Sequence, residues 1–444
     1  MMRAGVGAID RKEHDGDGQR AVLGAKSTTA GRTMVKGRMT RRSFLLAFPW
    51  LLAAPSRAMP AMPGPVLVES SVQSPSPYVI RALFLTGQPA PQGGTFTQFS
   101  DPSLNNHGDL AFAALSTSQT AHYALYLRTG GHLNTLAASG QRAASGGAFK
   151  VFNDVVLNDR GTVVFLGLTD DRIAQQGIFL ARAGAPVPIA VAGQQATSGG
   201  VFTDFANPTI NTGGTVAFVG RMGGGREAIF TSSEGSTSPI VVSGQPAPTG
   251  GAFQFFLDGS PSLNDRGQIA FVAATTDRGT FGVYVTVGGK PVPVVTTDDE
   301  APVGGLFTEF GSLMFTNAGT VGFVGRTAHS TIREALYVTG RATLVPLARQ
   351  GESVSGQILT TFSSSAINQS ETVVFQLGTP DPIPRAIFLA RRTGISVVVR
   401  AGDRSPTGQL FTAFSTPALN DRGEMAFVAE TEDFRHGIYL VTPR

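Results

Sequence analysis

Residues 264–271 read Asn-Asp-Arg-Gly-Gln-Ile-Ala-Phe, and residues 211–218 read Asn-Thr-Gly-Gly-Thr-Val-Ala-Phe. Both stretches have an Asn, a Gly three residues later and a Phe four residues after that Gly. An Asn at the start of a tight turn caps its own backbone, and Gly adopts the positive φ that such turns require. The pattern therefore predicts a β-turn that joins two consecutive strands.

The same pattern recurs along the chain at nearly constant spacing. Complete copies carry the pairs Asn105 and Gly108, Asn158 and Gly161, Asn211 and Gly214, Asn264 and Gly267, and Asn420 and Gly423. Two further copies are altered: Asn317 lies one position late before Gly319, and Glu371 replaces Gly after Asn368. Consecutive turn positions are separated by 53 or 52 residues, so the sequence contains seven repeats.

Each repeat contains four short segments typical of strands. In the third repeat they are 208–211, 215–220, 227–231 and 239–243. Four strands in about 50 residues is typical of a propeller blade, and no 3.6-residue helical periodicity is present. Aromatic residues fall at fixed positions of the repeat, which places them in blade cores. We predict an all-β fold, a seven-bladed β-propeller of four-stranded antiparallel blades over residues 79–444.

The two ends of the repeat region indicate how the ring closes. The last repeat ends at its third strand, residues 437–441, and lacks a fourth. Residues 79–88 resemble the ends of the fourth strands in other repeats, for example Ser243-Gly244-Gln245. We therefore expect the N-terminal strand to complete the last blade, which leaves no open end in the ring.

The segment before the repeats has the features of an export signal. Arg41 and Arg42 precede an apolar run from Ser43 to Ala54 that is shorter than a membrane span, and small residues follow at Ser56 and Ala58. We predict a signal peptide at 34–58, either twin-arginine-like or of the general secretory type, preceded by a mis-called start or leader at 1–33 and followed by a linker at 59–78. The protein is then periplasmic or secreted, with no membrane span after cleavage.

Composition and charge exclude several classes of function. The 444 residues contain no Cys, which excludes disulfides, thiolate metal sites and a cysteine nucleophile. The chain has a formal net charge of +4, but residues 59–444 hold 24 basic and 27 acidic residues, a net charge of −3. The basic surplus belongs to the leader, so we expect no nucleic-acid partner.

The repeat resembles the bacterial tandem-repeat family named for its NxxGxxAF motif, carried here by residues 211–218 and 264–271. Its blade pattern is also similar to that of TolB-like and WD-type β-propellers. The resemblance covers residues 79–444 and implies an exported protein of unassigned function.

One polar position lies seven residues before the Gly position of each turn, where the first strand of a blade should line the central channel. It is occupied by Asp101, Asp154, Asn207, Ser260, Ser312, Ser364 and Thr416. Two carboxylates facing hydroxyl groups could hold a hard cation such as Ca²⁺, with Asp101 and Asp154 as ligands. The alternative is that these side chains cap strand ends in a wet channel. We expect no other cofactor.

Two further groups of side chains could carry chemistry. The loops between second and third strands gather charge at Asp170, Asp171, Arg172, Arg221, Arg226, Glu227, Asp277, Arg278, Arg326, Arg333, Glu334, Asp381, Arg385, Glu432, Asp433, Arg435 and His436. They should share one face with the Gly-rich connectors between blades, where propeller ligands bind. His122 and His436, with Asp433, could also meet across the ring closure, although surface positions are the simpler interpretation; His107 lies in a turn.

Standard catalytic motifs are absent from the sequence. We predict a monomeric, non-enzymatic binding or scaffold protein that takes a protein or glycan partner on its loop face and channel mouth. A purely structural envelope protein remains an alternative. The enzymatic alternative is a glycoside hydrolase or lyase acting on polysaccharide, with Asp101 and Asp154 as its acids.

Overall fold

The computed structural model describes residues 77–182, 184–257, 259–277, 279–329, 331–340, 343–378 and 385–444. The predicted leader, the signal peptide with Arg41 and Arg42, and nearly all of the linker lie outside these residues, as do Arg278 and Asp381. Within the described part, no helix has the length and apolar character needed to span a bilayer.

The regular secondary structure of the described residues is almost entirely strands, which are grouped here by blade. Blade 1 contains β2 (Phe96–Phe99), β3 (Ser103–Leu104), β4 (Leu110–Ser116), β5 (Tyr123–Thr129) and β6 (His132–Ala138); blade 2 contains β7 (Phe149–Leu157), β8 (Val163–Thr169), β9 (Gln176–Ala181) and β10 (Val187–Val191). Blade 3 contains β11 (Phe202–Ile210), β12 (Val216–Met222), β13 (Arg226–Ser233) and β14 (Ser236–Val242), with a 3₁₀ turn at Gly223–Gly225. Blade 4 contains β15 (Phe253–Phe256), β16 (Ser262–Leu263), β17 (Ile269–Thr275), β18 (Phe281–Val287) and β19 (Lys290–Thr296).

The remaining blades follow the same plan. Blade 5 contains β20 (Phe307–Phe315), β21 (Val321–Thr327), β22 (Glu334–Thr339) and β23 (Leu344–Arg349), and a small hairpin of β24 (Ser353–Val354) and β25 (Gln357–Ile358) follows it. Blade 6 contains β26 (Thr361–Ile367), β27 (Val373–Gly378), β28 (Ala386–Arg391) and β29 (Gly394–Arg400). Blade 7 contains β30 (Phe411–Phe414), β31 (Ala418–Leu419), β32 (Met425–Thr431), β33 (His436–Pro443) and β1 (Tyr78–Leu85).

Each blade is a meander of four antiparallel strands, called A to D in sheet order. The A strands of neighbouring blades contact one another at all seven junctions, including β31 of blade 7 with β3 of blade 1. A strands therefore surround the central axis and D strands form the rim. The predicted seven-bladed β-propeller is confirmed.

Strand β1 closes the ring as expected. It pairs antiparallel with β33 from Tyr78 opposite Pro443 to Leu85 opposite Gly437. The Arg444 N–H also donates to the Pro77 carbonyl at 2.9 Å. The last blade thus takes three strands from one end of the described chain and its fourth from the other, which pairs the edge that β33 would otherwise expose.

The aromatic residues predicted to form the core do so. The Phe residues of the B strands are all fully buried: Phe112, Phe165, Phe218, Phe271, Phe323, Phe375 and Phe427. Each lies against the aromatic residue of its neighbouring C strand, as Phe165 does against Phe179 with centroids 5.6 Å apart. The hydrophobic clusters combine side chains of adjacent blades, so the core lies between blades and each blade depends on its neighbours.

Strand A is longer than the sequence pattern indicated. In blade 3 it begins at Phe202 rather than Pro208, because the register shifts between Ala206 and Thr209. The shift is a β-bulge at Asn207, whose φ is 52°. A bulge bends the strand without ending it, so the aromatic lead and the residues before the turn belong to one element.

Candidate functional site

The Asn residues of the turn motif join neighbouring blades. In blade 2, Asn158 Oδ1 accepts the N–H groups of Arg160 and Thr162 at 3.1 and 2.9 Å and so holds its own turn. Its Nδ2 donates to the carbonyl of Asn211 in blade 3 at 2.9 Å. Equivalent bonds start from Asn105, Asn211, Asn264, Asn368 and Asn420, the last reaching back to Asn105 across the closure.

This ring has one gap, between blades 5 and 6. Thr316 occupies the Asn position of blade 5 and lacks an amide donor, although its Oγ1 still accepts the Thr320 N–H at 3.0 Å. At the same junction, Thr320 Oγ1 donates to Glu371 Oε1 at 2.8 Å, and Glu371 pairs with Arg392 at 2.8 Å. The two repeats with altered turn motifs therefore meet at a junction held by different contacts.

The predicted channel residues coincide with the place where strand A bends. Asp154, Asn207 and Ser312 have φ between 47° and 52° at this position. Asp101, Ser260 and Thr416 lie where strand A is broken into two pieces, and Ser364 lies within β26. The polar residue types at this position therefore also mark the bend that the A strand makes beside the channel.

The structure connects some of these residues across blades. Asn207 Nδ2 donates to the Ser260 carbonyl at 3.0 Å, and the hydroxyl groups of Ser415 and Thr416 bond to the Asp101 carboxylate. Ser260 is fully buried and its Oγ donates to the Leu257 carbonyl at 2.9 Å, so its hydroxyl is not offered to the channel. In the described residues, no group of three or more His, Asp or Glu side chains is arranged to hold a metal ion.

Asp101 has a perturbed carboxyl. The residue is solvent-exposed, although neighbouring protein atoms reduce the solvation of its carboxyl group. This desolvation raises the pKa of Asp101 above its usual value of 3.8, and the hydroxyl groups of Ser415 and Thr416 only partly oppose the rise. The carboxyl therefore retains its proton to higher pH than an ordinary Asp.

The face of the ring opposite the Asn-x-x-Gly turns is formed by the D–A connectors and the B–C loops. We call it the loop face. Connectors and loops bind each other: the Thr95 N–H donates to Thr117 Oγ1 at 2.9 Å, and the Thr117 N–H donates to the Thr95 carbonyl at 2.9 Å. The same reciprocal pairing joins Ala148 with Asp170, Ala252 with Thr276, and Leu410 with Glu432. The loop face is thus ordered by its own hydrogen bonds.

A glycine permits this close packing. Gly147 has a φ of 67°, and a Cβ on it would lie 2.6 Å from the backbone nitrogen of Asp171. No other residue type fits there without moving the B–C loop. The Gly-rich composition of the connectors therefore reflects packing against the loops.

Many of the loop charges noted in the sequence neutralise one another. Arg221 pairs with Asp204 and Glu227, at 3.0 and 3.1 Å. Arg326 pairs in the same way with Glu309 and Glu334, at 2.7 and 2.9 Å. Glu227 and Glu334 also accept an N–H from strand A of the next blade, from Phe256 and Phe362. These charges support the junctions between blades.

The predicted histidine group is not joined by the contacts of the described residues. His122 Nδ1 lies 3.4 Å from Ser139 Oγ of its own blade. Asp433 accepts from Thr431 Oγ1 and pairs with Arg435. His436 instead bonds to β1 and its connector: its backbone N–H donates to Thr86 Oγ1 at 3.2 Å.

An open groove of about 720 Å³ lies on the loop face at the junction of blades 7 and 1. Its lining combines apolar and polar residues: Leu85, Thr86, Gly87, Gln88, Thr95, Phe96, Thr97, Phe434, Arg435 and His436. A second hollow of about 450 Å³ adjoins it and shares Gln88 and Phe96. The ring closure therefore coincides with the groove.

Phe434 lines this groove with an exposed side chain and a strained backbone. Its side chain is 81% exposed, and its φ is 61°. Two residues before strand C, where Phe434 lies in blade 7, the B–C loop of blade 4 has Gly279, with a φ of 71°. A left-handed conformation costs a non-glycine residue about 1–2 kcal/mol, and exposure removes the benefit of burying the ring. The sequence analysis missed Phe434, whose signal is an aromatic residue between Asp433 and Arg435 at a loop tip.

Solved structures with some similarity differ widely in description. They include a sialidase of Trypanosoma rangeli in complex with the inhibitor DANA (11% identity, 82% of this chain and 59% of that one, TM-score 0.36). A puromycin-hydrolyzing peptidase of Mycobacterium tuberculosis (14%, 75% and 58%, 0.39) and a gluconolactonase of Xanthomonas campestris (10%, 83% and 90%, 0.35) are others. The chain thus spans less than two thirds of the sialidase and the peptidase. At these values the likeness carries no argument about activity.

No protein of curated function matches the sequence. The chain does match the family described as "Family of unknown function (DUF7453)", over residues 63–362 and again over residues 226–439. Together the two matches span nearly the whole propeller. The chain therefore belongs to the DUF7453 family.

Proposed function

We propose that this protein is a non-enzymatic binding protein that takes its ligand on the loop face. The observation that carries the proposal is the groove of about 720 Å³ set into that face. Around the face, connectors and B–C loops hold each other by paired hydrogen bonds, so a ligand meets a surface that needs little ordering. Pre-ordered surfaces lose less free energy on binding.

We further propose that the protein acts outside the cytoplasm, as a monomer, with a glycan or protein partner. The apolar run after Arg41 and Arg42 supports export, and the net charge of −3 over residues 59–444 argues against nucleic acid. The domain limits proposed from the sequence apply here: a signal peptide at 34–58, a linker at 59–78 and the propeller at 79–444. Mass spectrometry of the N-terminus from culture fractions tests this; an uncleaved cytosolic product would contradict it.

Thermal melting tests the binding proposal. The protein is heated with soluble glycans, peptidoglycan fragments, peptides or Ca²⁺, and unfolding is followed by circular dichroism. A ligand that binds only the folded state raises the melting temperature, and above Kd the rise grows with the logarithm of the ligand concentration. A rise of this form with one probe supports the proposal. The absence of a rise with every probe argues for a structural role instead.

A second candidate function is cleavage of a polysaccharide at the channel mouth, by a glycoside hydrolase or a lyase reaction. The observation that favours it is that the pKa of Asp101 is raised above its usual value, which is the direction a general acid requires. Asp154 would supply the second carboxyl group. Release of reducing sugar from a glycan, lost on Asp101→Asn, would support this function over simple binding. Intact glycan after prolonged incubation would remove it.

A further inference from the structure

The groove at the closure of the ring has a feature that folding does not explain. Phe434 is 81% exposed and has a φ of 61°, so it contributes little to the core and strains the backbone. Strain at an exposed loop tip points to a role in binding. In the B–C loop of blade 2, by contrast, Ile173 covers the connector at Gly193. At the equivalent connector residue beside Phe434, Gly87, a Cβ would have nothing within 4 Å.

The polar groups beside Phe434 are mainly hydrogen-bond donors. Thr86 Oγ1 accepts the His436 N–H, which leaves its hydroxyl hydrogen directed elsewhere. Gln88 Oε1 accepts the Leu85 N–H at 3.0 Å, which fixes the amide so that its NH₂ group points away from that bond. The Arg435 side chain is 66% exposed and holds Asp433 through Nε. The exposed Thr97 completes the set.

Resting on the proposed function, we propose that this groove binds a saccharide, with one sugar ring lying on the face of Phe434. A pyranose has an apolar face of C–H groups and a rim of hydroxyl and ring oxygens. The apolar face matches the exposed aromatic ring, and the rim oxygens match the donors of Thr86, Gln88, Thr97 and Arg435. The adjoining hollow is lined mainly by apolar side chains, those of Leu83, Phe84, Pro89, Ala90, Pro91 and Leu133, so we place the sugar in the groove alone.

A peptide is the competing occupant, but the lining favours sugar. An extended peptide pairs its backbone with an exposed strand edge, whereas the groove is lined by a connector, a strand start and a loop tip. The apolar area beside Phe434 is limited to Leu85 and Phe96, and Phe96 is 2% exposed. The geometry suits one stacked ring surrounded by hydrogen bonds better than it suits a series of apolar side chains.

The test is isothermal titration of the full chain with cellohexaose, chitohexaose, xylohexaose, mannohexaose, a peptidoglycan disaccharide peptide and poly-L-proline. We expect one of the saccharides to bind, Phe434→Ala to weaken that binding at least tenfold, and Phe434→Tyr to retain it. The matched control is Phe255→Ala, which removes another exposed aromatic residue, 40% exposed in blade 4, and should leave binding unchanged. Phe434→Gly should lose binding while its melting temperature stays equal to or above that of the unsubstituted protein.

The outcomes separate this inference from the proposed function. Saccharide binding that Phe434→Ala leaves intact overturns the groove assignment, while the loop-face proposal stands. Binding of poly-L-proline that Phe434→Ala abolishes, without saccharide binding, overturns the sugar assignment alone. Binding of no probe overturns the saccharide assignment, while the loop-face proposal is judged separately by the thermal melts. If Phe434→Gly instead lowers the melting temperature, Phe434 is a structural residue and the inference fails.

Discussion

Asn158 illustrates how much one side chain does in this propeller. Its oxygen holds a turn within blade 2, and its nitrogen holds blade 3 in place through the Asn211 carbonyl. The side chain is 5% exposed, so neither bond can be replaced by water without local opening. The repeated Asn is therefore both a turn residue and a junction residue.

Asn158→Ala should lower the free energy of unfolding by about 1–3 kcal/mol, because buried groups lose their partners. Chemical denaturation followed by circular dichroism measures the change. The control is Asn134→Ala, which removes an exposed Asn on rim strand β6 and should change stability by no more than about 0.5 kcal/mol. Equal effects of the two substitutions would contradict the junction role.

The raised pKa of Asp101 predicts how the free energy of unfolding depends on pH. Its pKa is raised in the folded protein, so the folded state binds this proton more tightly than the unfolded chain does. The free energy of unfolding therefore loses a contribution as pH rises from below 3.8 through the raised pKa. Asn resembles the protonated form, so Asp101→Asn should melt at or above the wild-type temperature at pH 7, and the two should converge near pH 3. A large loss of stability at pH 7 would show that the charged carboxylate is needed.

The sequence predicted the residues of the turns but not all of their bonds. Asn and Gly at fixed spacing indicate a turn, because the turn's requirements are local. The bond from Asn158 to Asn211 joins residues 53 positions apart and depends on how blades stack, which a local pattern does not encode. Phe434 was missed because an aromatic residue occurs at this loop position in one repeat alone, and the comparison of repeats detects only residues that recur.

At the scale of elements, β1 is the strand on which the ring depends. It supplies the rim of blade 7, and Ile80, Ala82 and Leu85 pack against that blade's core. The sequence indicated this strand because its end matches the ends of the other D strands. The bulge of strand A at Asn207 was not foreseen, because Asn-Pro reads equally well as the end of a strand.

A chain that begins at residue 89, and so lacks β1, should not show the cooperative melting of one that begins at residue 77. Its β33 edge is unpaired, and exposed edges also promote aggregation. Circular dichroism melting and size-exclusion chromatography compare the two chains. Identical melting curves would mean that closure by β1 contributes nothing to stability.

At the scale of the whole molecule, the junction of blades 5 and 6 is the place where the ring of Asn bonds is interrupted. Thr316→Asn should restore a donor toward the carbonyl of Asn368 and raise the melting temperature. The Thr316 side chain is 1% exposed and lies where the other blades have Asn. The other blades accommodate the larger Asn side chain at this position. A lower melting temperature would show that the Thr320–Glu371 contact has replaced the Asn bond and conflicts with it.

The hydrogen bond between Arg444 and Pro77 places the two ends of the described chain side by side in one blade. A short peptide could join them, and new ends could then be opened in any of the other D–A connectors, so that another blade is assembled from both ends of the sequence. In such a chain we expect the same order of blades around the ring, because every blade would keep its two neighbours. A circularly permuted gene could move the termini around the rim while the groove beside Phe434 stays in place.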